Sequence, residues 1–365
     1  MAILKTVTVN LKKNSYPIIT GYDSLGQCGE AIMSLACGQD AVIVTNPMID
    51  RLYGRTLIAG LKRNGFSVKI FHVPDTEKSK SAKVAVGLLE RIAKYDIHRK
   101  IFIVALGGGV IGDLAGFLAA VYKRGVPYIQ VPTTFLAQID SAIGGKTAID
   151  LAIGKNLIGA FYQPRMVWSD VATLTTLSQR QMRNGLAEAI KYGVISDKNL
   201  FIYIQKNYKK ALSYDAHVLM KIVLACSRMK AKVVATDERE IKGIRTILNF
   251  GHTAGHALEA AGRYTKYHHG EAIGLGMRIA AHIALEMDLL AKKHFQALND
   301  LLTNVGLPQK ITSIPLNRIL AMMAHDKKFK GPRNRFVVPT QIGKVRVIEN
   351  IPGSLIKKAI TLFME

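Results

Sequence analysis

The sequence is poor in cysteine. Its 365 residues contain only three, Cys28, Cys37 and Cys226, at scattered positions. Three scattered thiols exclude a disulfide framework and indicate a reducing compartment, because oxidised secreted domains carry paired cysteines. A cytoplasmic location is therefore expected.

Long apolar runs are also missing. No stretch approaches the roughly 18 uninterrupted apolar residues of a membrane-spanning helix, so we expect no membrane partner. The N-terminus alternates like a strand and lacks a signal-peptide pattern. With 49% hydrophobic and 21% charged residues, the composition is that of a globular protein, and the length suffices for two domains.

Acidic residues are scarce relative to basic ones. There are 26 Asp and Glu against 50 Lys and Arg, a formal net charge of +24. Such a charge attracts anions, yet the basic residues are spread along the chain and form no strip interleaved with aromatic residues. We therefore expect no nucleic-acid partner. The charge is either a general property of the surface or an aid in attracting an anionic metabolite.

The first half of the sequence alternates apolar strands with amphipathic helices. Strands are predicted at 1–9, 16–20, 41–45, 66–73 and 100–105, and helices at 24–36, 47–64 and 79–94. The first helix would be capped by Asp23 or Ser24. This order predicts an α/β fold with a parallel sheet covered by helices on both faces.

The pattern changes near residue 172. Helical periodicity follows at 179–195, 197–211, 215–236, 253–262, 271–290 and 293–305. We therefore predict two domains, an α/β domain over 1–172 and an all-helical domain over 173–365. A strand is also predicted to begin at Arg335.

Three glycine-rich segments lie in the first domain. The stretch 107–113 follows a strand and precedes a helix, which suits either a nucleotide phosphate at a helix N-terminus or simply a tight turn. It is not on the first strand, and no acidic residue follows about 20 residues later, as a dinucleotide fingerprint requires. The segments 140–147 and 154–156 lack the spacing of an ATP-binding loop, but their lysines, asparagine and hydroxyls suit a polar, anionic ligand.

Histidines gather in the second half. His252 and His256 are four residues apart and share a helix face, and His269 follows after a basic turn. Glu188 lies upstream in an apolar segment. Three imidazoles and a carboxylate are sufficient for a divalent metal, but the spacing does not decide which of the four bind it.

Together these motifs resemble the 3-dehydroquinate synthase family, sugar-phosphate cyclases that share their fold with metal-dependent polyol dehydrogenases. The resemblance runs from about residue 40 to 340. It depends on eight stretches in order, namely 75–80, 107–113, 132–134, 140–147, 154–156, 188–191, 249–256 and 269–272. One departure is Thr76, where the family has a glycine.

The resemblance implies a Rossmann-like NAD-binding domain followed by a helical domain that binds metal and substrate. The implied reaction converts the anionic sugar phosphate 3-deoxy-D-arabino-heptulosonate 7-phosphate to 3-dehydroquinate and phosphate, in the shikimate pathway. It would use NAD for a transient oxidation at carbon 5, and Zn²⁺ or Co²⁺ as Lewis acid.

The resemblance also implies roles for individual residues. The metal ligands would be Glu188, His252 and His269, which leaves His256 as an acid–base group. Catalysis would further involve Lys191, Asn156 and Lys146. Substrate binding falls to Asp140, Lys230, Arg245, Asn249, Lys327 and Arg124, the last reaching a partner subunit of a homodimer. The NAD-binding positions would be Asp75, Glu77, Lys80, Gly109, Val110, Ile111, Gly112, Asp113, Thr133, Thr134, Lys146, Lys155, Thr173, Leu174, Thr175 and Thr176.

Three other functions compete. Cyclases that make inosose or valiolone skeletons act on substrates without a carboxylate, so the presence of both Lys230 and Arg245 favours the heptulosonate. A polyol dehydrogenase needs no paired cations for carboxylate and phosphate. A basic nucleic-acid-binding protein would leave the metal and glycine motifs unexplained, and its binding would fall steeply with salt.

Overall fold

The computed structural model describes residues 3–74, 76–324 and 334–365. The chain divides into two compact units. Unit 1 takes in residues 1–177 and 216–239, and unit 2 takes in residues 178–215 and 240–365. Among the described residues, no helix combines the length and apolarity needed to cross a bilayer.

Unit 1 is built on a seven-stranded sheet. Its strands and those of an added hairpin are β1 (Lys5–Val9), β2 (Tyr16–Gly21), β3 (Asp40–Thr45), β4 (Ser67–His72), β5 (Ile101–Gly107), β6 (Tyr128–Pro132), β7 (Lys146–Leu151), β8 (Gly154–Phe161) and β9 (Met166–Asp170). The sheet order is β1-β2-β9-β6-β5-β3-β4. Only the β1–β2 pair is antiparallel in this sheet, while β7 and β8 form a separate antiparallel hairpin.

Helices cover both faces of this sheet. The first five are α1 (Cys28–Met33), α2 (Pro47–Ile49), α3 (Arg55–Arg63), α4 (Ala82–Tyr95) and α5 (Gly109–Val121). Along the fully buried β3, Val42 and Val44 pack in the core formed with α4 and α5, whereas Ala41 and Ile43 pack in the core formed with α1 and α3. The predicted α/β fold with a parallel, doubly covered sheet is confirmed.

The first helix is shorter than predicted and capped differently. A 3-10 turn at Leu25–Gln27 leads into α1, and neither Asp23 nor Ser24 caps it with its side chain. Asp170 accepts the N–H groups of Ser24 and Leu25 at 2.7 and 2.8 Å instead. This cap comes from the end of β9 and could not be found from local sequence.

Unit 2 is mainly helical. The remaining helices among the described residues are α6 (Gln179–Ser196), α7 (Lys198–Leu212), α8 (Ala216–Thr236), α9 (His252–Ala261), α10 (His269–Glu286), α11 (Lys292–Asn304), α12 (Leu316–Ala324) and α13 (Gly353–Leu362). The predicted strand at Arg335 is confirmed as β10 (Arg335–Gln341), and it pairs with β11 (Lys344–Glu349). Unit 2 is therefore not purely helical, in contrast to the predicted all-helical domain.

Helix α8 departs from the predicted division at residue 172. It belongs to unit 1, where its Ala231 and Val234 join a core with Val9 and Ile18 from β1 and β2. An amphipathic pattern shows that a helix buries one face, but it does not show which apolar surface that face covers. The sequence pattern thus predicted the helix correctly, but the predicted division assigned it to the second domain.

Candidate active site

The glycine-rich turn lies between β5 and α5. Gly108 is the extended residue before the helix, and Gly109 is its first residue. A Cβ on Gly107 would lie 2.7 Å from Ile111, and one on Gly112 would lie 2.8 Å from Gln130 on β6. Packing therefore requires glycine at both positions. The first turn of α5, which includes Val110 and Ile111, also presents N–H groups without a partner within the helix, as an anion site requires.

Two threonines adjoin this turn because β6 lies beside β5. Gly107 is paired with Pro132, and Thr133 donates its N–H to the Gly107 carbonyl at 3.0 Å. The Thr134 side chain lies close to Gly108, where an added Cβ would be 3.0 Å from it. The carboxyl ends of adjacent parallel strands thus bring these predicted residues together.

A second group of threonines follows β9, the next strand along. Residues Val171–Thr176 form a 3-10 turn. The Thr173 hydroxyl accepts from Gln138 at 3.1 Å, and Tyr53 donates to the Thr173 carbonyl at 2.8 Å and pairs with Thr176. Leu174 is fully buried, so its side chain serves the core, and only its backbone is available to a ligand. Thr175 donates to the Ala172 carbonyl at 2.7 Å and remains exposed.

Lys80 is the centre of a polar network beside α5. Its side chain is 4% exposed, and its Nζ lies 2.7 Å from Asp113 Oδ2 and 2.5 Å from Asn156 Oδ1. Burial raises the pKa of Asp113, and although Lys80 lowers it, the result is a pKa of about 6. Asp150 lies 4.0 Å from Lys80 and accepts the Asn156 N–H at 2.8 Å, while Asn156 adopts a left-handed φ of 56°. Sequence reasoning missed Asp150, because no motif marks it.

The other predicted residues of this region lie on the β7–β8 hairpin and nearby turns. Lys146 begins β7 and is exposed, and Lys155 on β8 pairs with Glu77 at 3.2 Å. The expected glycine-rich loops are thus strands at these positions. Thr76 has an extended φ of −148°, which any residue can adopt, so the missing glycine is not needed. Asp75 lies outside the described residues.

Asp140 and Lys230 form an ion pair within unit 1. Their Oδ1 and Nζ atoms are 2.5 Å apart. Asp140 belongs to a π-helical turn, Ala137–Ser141, and Lys230 belongs to α8. The packing of α8 on the sheet unit is what brings the two residues together. Arg124, by contrast, is exposed in a turn with a left-handed φ of 64°.

The metal-ligand candidates meet in unit 2. Glu188 on α6 is fully buried, His252 is the first residue of α9, and His269 is the first residue of α10. Glu188 Oε1 lies 3.7 Å from His252 Nε2 and 3.4 Å from His269 Nε2. Lys191, one turn along α6 and 1% exposed, pairs with the other Glu188 oxygen.

These distances fit a tetrahedral metal ion. Ligands about 2.0–2.2 Å from Zn²⁺ in that geometry lie about 3.3–3.6 Å from one another. The ligand atoms of Glu188, His252 and His269 are all within 4.8 Å of each other. The His256 ring is exposed, and its centroid is 5.1 Å from that of His252. The structure thus groups the three implied ligands and leaves His256 beside them.

Polar contacts hold together α6 and α10, two of the three helices that carry candidate ligands. Asn184, one turn before Glu188, accepts the N–H groups of Gly270 at 2.7 Å and Glu271 at 3.3 Å, in the first turn of α10. Arg180 makes two hydrogen bonds of 2.7 Å to Glu271. A Cβ on Gly270 would lie 2.4 Å from the Asn184 carbonyl, so glycine permits the close approach that sets His269 against Glu188. Sequence reasoning missed Asn184 and Arg180.

The remaining predicted substrate residues of unit 2 lie on the segment before α9. Arg245 and Asn249 belong to the 3-10 turn Ile244–Asn249, which packs against α6. Arg245 is 1% exposed, an unusual position for a guanidinium group. Lys327 lies outside the described residues.

Family models match the chain in two successive parts. The model described as 3-dehydroquinate synthase N-terminal matches residues 70–184, and the model described as 3-dehydroquinate synthase C-terminal matches residues 185–329. Together these matches cover more than half of the chain.

Individual proteins are similar over nearly the whole length. The 3-dehydroquinate synthase of Desulforamulus reducens is 43% identical over 95% of this chain and 96% of its own, and that of Thermodesulfovibrio yellowstonii is 40% identical over 98% and 99%. The crystal structure of 2-deoxy-scyllo-inosose synthase complexed with carbaglucose-6-phosphate, NAD+ and Co²⁺ is 27% identical. Its TM-score is 0.89, over 98% of this chain and 99% of that one.

Proposed function

The chain belongs to the 3-dehydroquinate synthase family, and we propose that it converts 3-deoxy-D-arabino-heptulosonate 7-phosphate to 3-dehydroquinate and phosphate. It is then a phosphate-eliminating carbon–oxygen lyase of the shikimate pathway. The observation that carries the proposal is the cluster of Glu188, His252 and His269, in which the carboxylate is fully buried and the imidazole nitrogens lie 3.7 and 3.4 Å from one of its oxygens. The similar inosose synthase binds NAD+ and Co²⁺.

The proposed reaction requires two groups that the chain itself does not supply. NAD supplies a reversible electron acceptor for oxidation at carbon 5, and Zn²⁺ or Co²⁺ supplies a Lewis acid for the oxygen there. Glu188, His252 and His269 would hold the ion. The carboxylate charge of the fully buried Glu188 offsets part of the ion's charge.

Protein groups at the carboxyl edge of the sheet would hold NAD. The first turn of α5 offers the N–H groups of Gly109, Val110 and Ile111 to the pyrophosphate, and Thr133 and Thr134 lie beside it. The 3-10 turn containing Thr173–Thr176 lies at the next strand along the same edge. Lys80 would keep Asp113 ionised so that its carboxylate accepts hydrogen bonds from cofactor hydroxyls, with Glu77 and Lys155 as a flanking ion pair.

NAD binding should weaken as the pH falls through about 6, the raised pKa of Asp113. The cofactor would bind the ionised carboxylate, and protonation removes both its charge and its pairing with Lys80. Affinity should therefore level off above this pH and decline below it. Titrations between pH 5 and 8 test this, with Asp113→Asn expected to bind weakly at every pH. An affinity that changes equally with pH in both proteins would contradict the assignment.

Cationic and polar side chains would hold the substrate. Lys230 and Arg245 are assigned to its carboxylate, because an ammonium and a planar guanidinium both pair well with an oxyanion. Lys146, Asn156 and Lys327 are assigned to the phosphate side, and Asp140 and Asn249 to hydroxyls.

Proton handling falls to two side chains near the metal ligands. His256 is exposed beside His252, and a neutral imidazole there can accept a proton and return it. Lys191, buried against Glu188, can donate a hydrogen bond to a substrate oxygen beside the ligand cluster.

A homodimer and a cytoplasmic location complete the proposal. The β7–β8 hairpin exposes a set of apolar side chains that are each more than a third accessible, namely Leu151, Ile153, Leu157, Ile158 and Phe161. Exposed apolar clusters mark interaction surfaces, and a second copy of this chain is the proposed occupant. The hairpin packs against α5, and Arg124 follows that helix, so Arg124 would reach the partner subunit. All three cysteines are free thiols, in keeping with a reducing compartment.

Parallel assays with three substrates test the proposal. Metal-loaded protein with NAD is incubated with the heptulosonate phosphate, with glucose 6-phosphate, or with glycerol, and inorganic phosphate and NADH are measured. We expect phosphate release only from the heptulosonate, with Lys230→Ala and Arg245→Ala raising its KM. Phosphate release from glucose 6-phosphate would indicate an inosose synthase, and accumulation of NADH with glycerol would indicate a polyol dehydrogenase.

A further inference from the structure

The imidazole of His269 lies between two carboxylates. Its Nε2 is 3.4 Å from Glu188 Oε1, on the side of the proposed metal ion. Its Nδ1 is 3.3 and 3.4 Å from the two oxygens of Glu259. Glu259 has no part in the family motifs considered above. Its side chain is only 13% exposed.

The other imidazole of the cluster has the same arrangement with a different acceptor. His252 Nε2 faces Glu188, and its Nδ1 lies 3.1 Å from the carbonyl oxygen of Phe250. A carbonyl only accepts hydrogen bonds, so Nδ1 of His252 carries the proton and Nε2 presents its lone pair. A carboxylate at Nδ1 of His269 selects the same tautomer in that ring.

We propose that Glu259 is a positioning residue of the metal centre. It accepts a hydrogen bond from the Nδ1–H group of His269, which fixes the ring orientation, directs the Nε2 lone pair towards the ion and makes that nitrogen a stronger electron-pair donor. Such partners of metal-binding histidines typically change metal affinity by about 10–100-fold. The inference depends on the proposed metal site, which it extends by one residue.

Helix α9 explains how Glu259 reaches this position. Glu259 follows His252 by seven residues and His256 by three, so all three lie on one face of the helix. The same helix therefore supplies a ligand to the ion, an exposed imidazole, and the carboxylate behind the ligand from α10. This i, i+4, i+7 spacing is a signal in the sequence that could have identified Glu259.

A second metal ion is the competing explanation. His256, Glu259 and His269 also have ligand atoms within 4.8 Å of one another. An ion on Nδ1 of His269, added to one on Nε2, would require the ring to lose both of its protons, which an imidazole resists. An ion on Nε2 would simply compete with the first. We therefore expect one ion per chain, with Glu259 bound to the ligand His269 and not to the ion.

The test compares Glu259→Gln and Glu259→Ala with the wild-type protein. Zn²⁺ affinity is measured by competition with a chelator, the geometry of the site by the visible spectrum of bound Co²⁺, and the stoichiometry by metal analysis. We expect Glu259→Ala to bind Zn²⁺ about 10–100-fold more weakly, with an altered Co²⁺ spectrum. Glu259→Gln should fall between it and the wild type, because its amide oxygen still accepts a hydrogen bond.

Controls separate this role from a purely structural one. Glu286→Gln changes a carboxylate at the end of α10, which pairs with Lys358, and it should leave affinity and spectrum unchanged. Equal affinity in the wild type and both Glu259 variants would overturn the inference. A loss of affinity in the Glu259 variants that is explained by a lower melting temperature of their metal-free forms would also overturn it. So would a wild type that binds two ions and a Glu259 variant that binds one. Failure of the wild type to bind any divalent ion would instead overturn the proposed metal site itself.

Discussion

The variant Glu188→Gln should lose at least about a thousandfold in kcat/KM, which corresponds to about 4 kcal/mol of transition-state stabilisation. Glu188 is fully buried and is the only anionic ligand in the proposed set with His252 and His269. Glutamine preserves the shape of the side chain but removes the charge that binds the ion. The metal content of the purified variant and its kcat/KM are the measurements.

A loss of activity in this variant must be separated from misfolding. Lys191 pairs with Glu188 and is 1% exposed, so glutamine leaves a buried ammonium without its carboxylate, which is strongly destabilising. The double variant Glu188→Gln, Lys191→Met should regain thermal stability without regaining metal. Glu90→Gln, an exposed change on α4, serves as the unaffected control. A Glu188→Gln protein that keeps both its metal and its activity would refute the ligand assignment.

The variant Lys80→Met should lose NAD binding and about 3–5 kcal/mol of unfolding free energy at pH 8. The ammonium group is almost fully buried, 2.7 Å from Asp113 and 4.0 Å from Asp150. Removing it leaves two partly buried carboxylates, with side chains 21% and 18% exposed, without their cation. Denaturant unfolding of the cofactor-free protein measures the stability, and titration with NAD measures the affinity.

The stability loss at Lys80 should depend on pH with a definite sign. The pKa of Asp113 is already raised to about 6 with Lys80 present, and removing the cation raises it further. A carboxyl with a raised folded pKa favours the folded state at low pH and loses that contribution as the pH rises. Lys80→Met should therefore be less destabilised at pH 6 than at pH 8. Equal destabilisation at both pH values would contradict the network.

A matched double variant separates folding from cofactor binding. Asp113→Asn added to Lys80→Met removes the carboxylate that has lost its partner, and it should restore much of the stability at pH 8. NAD binding should not return, because both proposed contacts are then absent. Recovery of NAD binding together with stability would show that the network serves the fold alone.

Local pattern was sufficient to predict most of the secondary structure. The helices predicted between residues 179 and 305 match α6 to α11 within a few residues at each end, because long amphipathic periodicity is a strong signal. Helices α12 and α13 were not predicted. The buried strand β3 was predicted from its run of β-branched residues. The surface on which a helix packs could not be predicted from its own sequence. Helix α8 packs in unit 1 through contacts between residues far apart in sequence.

The candidate site was predictable to the extent that motifs mark it. Spacing alone grouped His252 with His256, and the structure explains the difference between them. His252 is the first residue of α9, after Gly251 with a left-handed φ of 79°, and it faces Glu188. His256 lies one turn further along.

Residues that hold the site residues in place could not be predicted from sequence patterns. Asp150 accepts the N–H of Asn156 and lies 4.0 Å from Lys80, and Asn184 accepts the N–H groups of Gly270 and Glu271. Such contacts depend on tertiary packing and leave no local pattern. They were therefore found only in the structure.

Turnover with NAD far below the enzyme concentration tests the central claim most directly, that the chain oxidises and re-reduces its substrate within one catalytic cycle. The heptulosonate phosphate is supplied in large excess with metal-loaded protein, and inorganic phosphate, dehydroquinate and NADH are followed together. We predict that many phosphates and equal amounts of dehydroquinate form for each NAD present, while NADH does not accumulate. Phosphate release that stops after one turnover for each NAD, with NADH formed in equal amount, would contradict the account.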